Sequence, residues 1–254
     1  MRQPRRWSVS GSLTDLVASG AAERGAVTVP TRRGELRFDL GRTALVVVDM
    51  QNDFCTPGGW LASIGVDITP ARAAIGPIAA LLPELRALDV PVIWLDWGNR
   101  PDRINLPPNV IHVYDPAGIG EGIGAAHDAS PAVLTAGSWG AAVVDELEIA
   151  GTDICIDKFR MSGFWDTPLD STLRALGVDT ILFAGVNADQ CVYATLIDAA
   201  CLGYDCVFLE EASATTSPAF CLDATVHNVD QCFGFAVSAA ALTTALTKGR
   251  PSWP

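Results

Sequence analysis

Three side chains in this sequence combine a reactive atom with a place at the end of an apolar run. Asp49 follows "TALVVV", Lys158 closes "ICIDK", and Cys191 lies just past "ILFAGV". A carboxylate, an ammonium and a thiol that converge can do nucleophilic chemistry: the carboxylate takes the thiol proton, and the cation steadies both anions. Each alone has an ordinary explanation. Asp49 can cap a turn, Lys158 can be a solvated strand end, and a free cysteine is most often a small buried hydrophobe.

The setting of Cys191 separates it from its neighbours. Residues 185–206, "GVNADQCVYATLIDAACLGYDC", hold three of the seven cysteines. Asp189 is a candidate N-cap, which predicts Cys191 in the first turn of a helix, where free N–H groups and the helix dipole favour a thiolate. Cys201 falls at the end of that helix and Cys206 inside the next strand, so both read as core. An odd number of cysteines argues against a disulfide framework. Metal is also disfavoured: there is no C-x-x-C pair, and His112, His127 and His227 are scattered.

The elements that must position these residues alternate. "TALVVV" (43–48), "VPVIWLD" (90–96), "TDICIDK" (152–158), "VDTILFAGV" (178–186), "YDCVFLE" (204–210) and "GFAV" (234–237) read as strands. Helical patterns fall at about 70–88, at "AAVVDEL" (141–147), at "TPLDSTLRALG" (167–177), at about 189–202, near 218–231 and at 238–247. Such alternation predicts an α/β fold, a doubly wound, mostly parallel six-stranded sheet with helices on both faces. In that architecture, chemistry gathers at the carboxyl ends of strands. Residues 98–140, rich in Pro, Gly and Asn, read as a long excursion over one face, and loops of that length usually serve function. Residues 37–254 read as one domain, preceded by a flexible or loosely docked extension, residues 1–36.

The formal net charge of −12 makes nucleic acid and anionic membranes poor partners. No run approaches the ~20 apolar residues of a membrane span, and the basic start has no apolar segment behind it, so the expected compartment is the cytoplasm.

Three ordered blocks, "VVVDMQNDF", "DKFRMSGFWDTPLDSTLRALGV" and "FAGVNADQCVYATLIDAACLGY", resemble the signatures of the isochorismatase-like cysteine hydrolases, over roughly residues 40–246. Within that superfamily the pattern is most similar to ureidoacrylate amidohydrolases; biuret and carbamoylsarcosine hydrolases are more distant. The resemblance implies a catalytic set of Asp49, Lys158 and Cys191, with Lys158 lowering the pKa of both partners. It also implies a cis peptide at Val186–Asn187 and an oxyanion hole from the N–H groups of Asn187 and Cys191. The reaction implied is cleavage of a C–N bond in a small amide or ureido compound, with ammonia released and a thioester formed on the enzyme. Isochorismatases proper lack the cysteine. Nicotinamidases add a metal held by histidines that "WLDWGNRPDR" does not have, so neither a metal nor another cofactor is expected. The sequence departs from many relatives at Asn187-Ala188, and from the ureidoacrylate enzymes at Trp97-Gly98-Asn99, which leaves the substrate open.

Candidate substrate-binding residues are Phe54, Trp60, Trp97, Asn99, Arg100, Arg160, Phe164 and Trp165. Arg100, Arg103 and Arg160 are candidates for gripping a substrate carboxylate. Relatives commonly form homo-oligomers, so a dimer or tetramer is expected, with the Cys-rich region 218–236 as a candidate contact. A second reading, a non-catalytic interaction protein that keeps the fold, is opposed by the intact Asp49, Lys158 and Cys191 set.

Overall fold

The structure is a computed structural model; it describes residues 7–17, 25–126 and 131–248. Four short strands come first: β1 (Ser8–Ser10), β2 (Leu13–Asp15), β3 (Ala26–Thr31) and β4 (Gly34–Asp39). Six more follow: β5 (Thr43–Val48), β6 (Val92–Trp97), β7 (Ile154–Lys158), β8 (Thr180–Gly185), β9 (Asp205–Ser213) and β10 (Gly234–Val237). The last six form one parallel sheet in the order β10-β9-β8-β5-β6-β7. Every residue of β5, β6 and β8 is buried, as continuous apolar runs covered on both faces require.

The principal helices are α1 (Ile75–Arg86), α2 (Leu169–Ala175), α3 (Tyr193–Leu202), α4 (Ala219–Asn228) and α5 (Ala239–Lys248), and helices cover both faces of the sheet. Ile75, Ile78, Leu81, Leu82 and Leu85 are the buried stripe of α1, which packs on α5. None of the described helices is long and apolar enough to cross a membrane.

The chain leaves β5 toward β6 and β7 on one side, and β8 through β10 build out on the other. The crevice at this reversal lies between the carboxyl ends of β5 and β8. Gly185 makes the two ends meet. A Cβ there would sit 2.0 Å from the Val48 carbonyl oxygen, and its φ of +116° is one that side chains rarely adopt.

Three expectations are corrected. The helix expected over 70–88 is interrupted, with a single turn at Thr69–Arg72 before α1 begins. "AAVVDEL" is not helical: Val143 bridges Gln51, and the Val144 N–H donates to the Met50 carbonyl, so its backbone is taken up by the segment after β5. The described part of residues 1–36 is folded and docked. Strands β1 to β4 form a four-stranded sheet in the order β1-β2-β4-β3, and Val29, Leu36 and Phe38 are fully buried. Trp7 Nε1 donates to Asp205 at 2.8 Å, and the Arg33 guanidinium donates to the Gly234 carbonyl at 2.9 Å. The boundary at residue 36 therefore falls inside β4.

Leu36→Ala should destabilise the whole protein by about 2–5 kcal/mol, as an emptied core position does. Val9→Ala, on an exposed strand of the same sheet, should stay within about 0.5 kcal/mol. Chemical denaturation followed by fluorescence reads both. An unchanged midpoint for Leu36→Ala would mean that this sheet is no part of the cooperative unit.

Candidate active site

Asp49, Lys158 and Cys191 converge at the carboxyl ends of β5, β7 and β8. Lys158 Nζ lies 2.8 Å from Asp49 Oδ2, and the two side chains are 0% and 1% exposed. Strands neighbouring in a sheet are about 4.8 Å apart, so Lys158 must reach across β6 to meet Asp49. It does so over the Trp97 ring, with Nζ 4.0 Å from the ring centroid, while donating to the Arg160 carbonyl at 3.3 Å. Asp49 has φ +51°, a left-handed conformation that turns the chain out of β5.

Trp97 is held from behind. Gln51 binds both its backbone groups, accepting from the N–H at 2.8 Å and donating to the carbonyl at 2.8 Å. The indole donates to Asn99 Oδ1 at 2.7 Å, and Asn99 in turn donates to the Val133 carbonyl. Asn99 therefore orients Trp97 and is fully buried beside it. Asp53 accepts from the N–H groups of Trp60 and Leu134, and Asn52 donates to the Trp139 carbonyl. The block around Asp49 thus fixes the loop over 134–142 as well as supplying a carboxylate.

Cys191 sits in a π-helical turn, Ala188–Val192, directly ahead of α3. Asn187 occupies the cap position, while Asp189 lies inside the turn and accepts from the Thr215 hydroxyl. The expectation that Asp189 caps the helix is corrected: a wider turn moves the start back. The Val186–Asn187 peptide is cis. Asn187 is anchored through its side chain, which accepts from the Thr216 N–H at 3.0 Å and donates to Tyr114 Oη at 3.2 Å. The Thr195 hydroxyl donates to the Cys191 carbonyl at 2.7 Å and accepts from the Gly163 N–H at 3.0 Å. It ties the cysteine turn to the segment after β7.

The electrostatics differ from the sequence expectation. Burial pushes the Cys191 thiol pKa well up and the Asp49 charge adds to it, with Lys158 only partly offsetting both. Burial also raises the Asp49 carboxyl, against the pull of Lys158. Burial works against the Lys158 ammonium, but Asp49 and Cys191 outweigh it and raise its pKa. Burial and the Asp49 charge thus work against the thiolate that a helix N-terminus would favour. Asp96, one strand over, is buried with Oδ1 unpartnered; burial first, then Asp49 and Asp157, raises its carboxyl well above the carboxylate range.

The cleft above Cys191 is lined by Phe54, Trp60, Trp97, Val113, Tyr114, Ile123, Met161, Asn187 and Gln190, and it is narrow, about 10 Å³. Met161 Sδ is 3.7 Å from Cys191 Sγ. Trp60 packs edge-on to Phe54 and to Tyr114. Of the expected substrate-binding residues, Phe54, Trp60 and Trp97 therefore reach the cleft, and the others do not. Arg100 is exposed and paired with Asp102 at 2.8 Å. Arg160 is paired with Asp166 at 3.0 Å and donates to the Asn105 carbonyl. Arg103 donates to the Gly124 carbonyl. Phe164 packs on Tyr204, and Trp165, 63% exposed, donates to Asp198.

The sequence reading misses Val113, Tyr114, Ile123, Met161, Gln190 and Thr195. Met161 and Gln190 lie within the signature blocks. Tyr114 comes from the long excursion and has φ +59°. Of the two other cysteines expected in the core, Cys206 is buried, but Cys201 is exposed where α3 runs out into solvent.

A family model described as the isochorismatase domain matches residues 43–241. The chain is 33% identical over 227 residues to the ureidoacrylate amidohydrolase RutB of Methylorubrum extorquens, covering 89% of this chain and 92% of that protein. It is 34% identical to the RutB of Rhizobium rhizogenes, with coverage of 89% and 92%. Among solved structures it resembles a cysteine hydrolase from Pseudomonas syringae pv. phaseolicola, with TM-score 0.70, 26% identity, and 84% and 96% of the two chains covered. It also resembles N-carbamoylsarcosine amidase from Thermoplasma acidophilum, with TM-score 0.59, 26% identity, and coverage of 78% and 96%.

The electrostatics make a test that separates acidity from catalysis. Asp49→Asn removes a charge that raises the thiol pKa, so Cys191 should be alkylated at lower pH than in the wild type. The same change removes the carboxylate placed to accept the thiol proton, so turnover should fall by about 10²–10⁴-fold. Rates of iodoacetamide labelling across pH, mapped by mass spectrometry, read the first effect. A labelling profile that moves to higher pH would contradict this electrostatic account.

Proposed function

The chain belongs to the isochorismatase family and is a hydrolase of non-peptide C–N bonds in linear amides; we propose that Cys191 is its nucleophile, with Asp49 as proton carrier and Lys158 as the group that holds the two in register. The observation that carries this reading is the 2.8 Å ion pair buried beside the only thiol, among the described residues, that lines the cleft. The substrate is a small amide or ureido compound, in keeping with relatives named ureidoacrylate amidohydrolase and N-carbamoylsarcosine amidase.

The substrate carbonyl lies over Sγ with its oxygen toward the backbone N–H groups of Asn187 and Cys191. Because the free thiol is a weak acid here, proton loss to Asp49 accompanies attack on the carbonyl carbon rather than preceding it. The raised carboxyl of Asp49 makes it a better acceptor than an ordinary surface carboxylate. The two N–H groups meet the oxyanion as charge develops, and loss of one such donor typically costs about 3 kcal/mol. Collapse of the tetrahedral intermediate breaks the C–N bond, and Asp49 gives its proton to the departing nitrogen, which leaves as ammonia. The thioester is then attacked by water, whose proton passes to Asp49 and back to sulfur as the acid leaves. Lys158 stays protonated throughout.

The same reading takes the enzyme to be cytoplasmic and to work without a metal or other cofactor. It also takes the enzyme to be a homo-oligomer, for which Phe220, 70% exposed on α4, offers apolar surface to cover.

Cys191→Ala should lower ammonia release by at least about a thousandfold while the circular dichroism spectrum is retained. Intact-mass measurement after rapid quenching should show an acyl adduct on the wild type that Cys191→Ala lacks. Turnover that persists in the alanine variant would end this mechanism.

A further inference from the structure

The cleft continues outward into an open vestibule of about 570 Å³, where the apolar Val113, Met161, Ala194 and Ile197 and the ring of Tyr193 stand beside Tyr114, Asp189 and Gln190. Val113, Tyr114, Met161 and Gln190 line both spaces, so the vestibule is the continuation of the cleft, not a separate site. Its walls are chiefly apolar. Among the described residues, no arginine, lysine or histidine lines either space. Lys158, the cation beside the reacting atoms, is fully buried and paired with Asp49. The charged side chain that lines the vestibule is a carboxylate, Asp189, and Asp49 lies beneath the cleft.

A substrate carboxylate entering here would lose its hydration, face carboxylates, and gain no ion pair in return. The polar side chains that do face the cleft, Asn187 and Gln190 with the Tyr114 hydroxyl, are neutral. They suit an amide or ureido group without demanding charge. The chain's net charge of −12 works in the same direction at long range.

We propose that the substrate is a neutral amide or ureido compound whose reacting group is carried on an apolar tail, with the tail lodged in the vestibule between α3 and Val113. This rests on the hydrolase reading above and narrows it, and it sets the chain apart from enzymes that act on anionic ureido acids. Ile197 and Ala194, one turn apart on α3, set the character of the tail that fits.

The test compares kcat/KM for matched pairs, by ammonia release: hexanamide against its ω-carboxylate counterpart, and butylurea against 3-ureidopropionate. The neutral member of each pair should be favoured at least tenfold. Ile197→Arg, which places a guanidinium in the vestibule, should shift each ratio toward the anion by at least tenfold. A wild type that favours the anions, with turnover lost in Cys191→Ala, would overturn the substrate assignment and leave the hydrolase reading standing. An unshifted ratio in a folded Ile197→Arg variant would also overturn the assignment. Ammonia from neither class, or ammonia that persists in Cys191→Ala, would overturn both.

Discussion

A fully buried ion pair, Lys158 with Asp49, is the constraint on which the site depends. Taking either charge out of water carries a penalty of several kcal/mol, and only close pairing with further polar contacts offsets it. Lys158 finds these in the Asp49 carboxylate, the Arg160 carbonyl and the face of Trp97. Because the pair spans three strands, β5 and β7 must flank β6, and Trp97 must present its ring at the end of β6. Gln51 and Asn99 hold that ring in place, so the polar residues behind Trp97 serve the ion pair at one remove.

The pair also sets the state of the sulfur. A thiol ahead of a helix would ordinarily be biased toward thiolate. Here burial and the adjacent carboxylate oppose that bias more strongly than Lys158 supports it. Cys191 is also only 5% exposed, and both low access and a raised thiol pKa work against oxidation, which tracks thiolate character and access.

The strands of the main sheet and the convergence at their ends are legible because buried parallel strands are short, continuous apolar runs, and their ends face one crevice. The same logic misses β4, whose buried Leu36 and Phe38 alternate with polar residues as a half-covered strand should. "AAVVDEL" misleads because its apolar spacing suits a helix, while the backbone of Met50 and Gln51 claims it for an extended pairing. The arginines escape sequence reasoning for an electrostatic reason. Arg100 and Arg160 each have an aspartate a few residues away, and local pairing takes them before a distant ligand can. Tyr114 carries no sequence signal, because only the path of the long excursion brings it over Asn187.

Charge balance around the cleft links the Lys158–Asp49 pair to what the cleft can accept. A cation in a buried site can neutralise one anion well, and Lys158 is already matched to Asp49. A second anion close by would draw on the same ammonium and weaken its hold on Asp49. Recognition of an anionic substrate would thus need its own cation, placed on the loops that surround the crevice. In this chain those loops direct their guanidinium groups outward, to Asp102, Asp166 and backbone carbonyls. Aromatic and aliphatic side chains turn inward instead, and Phe54, Trp60, Trp97 and Met161 line the cleft over Cys191.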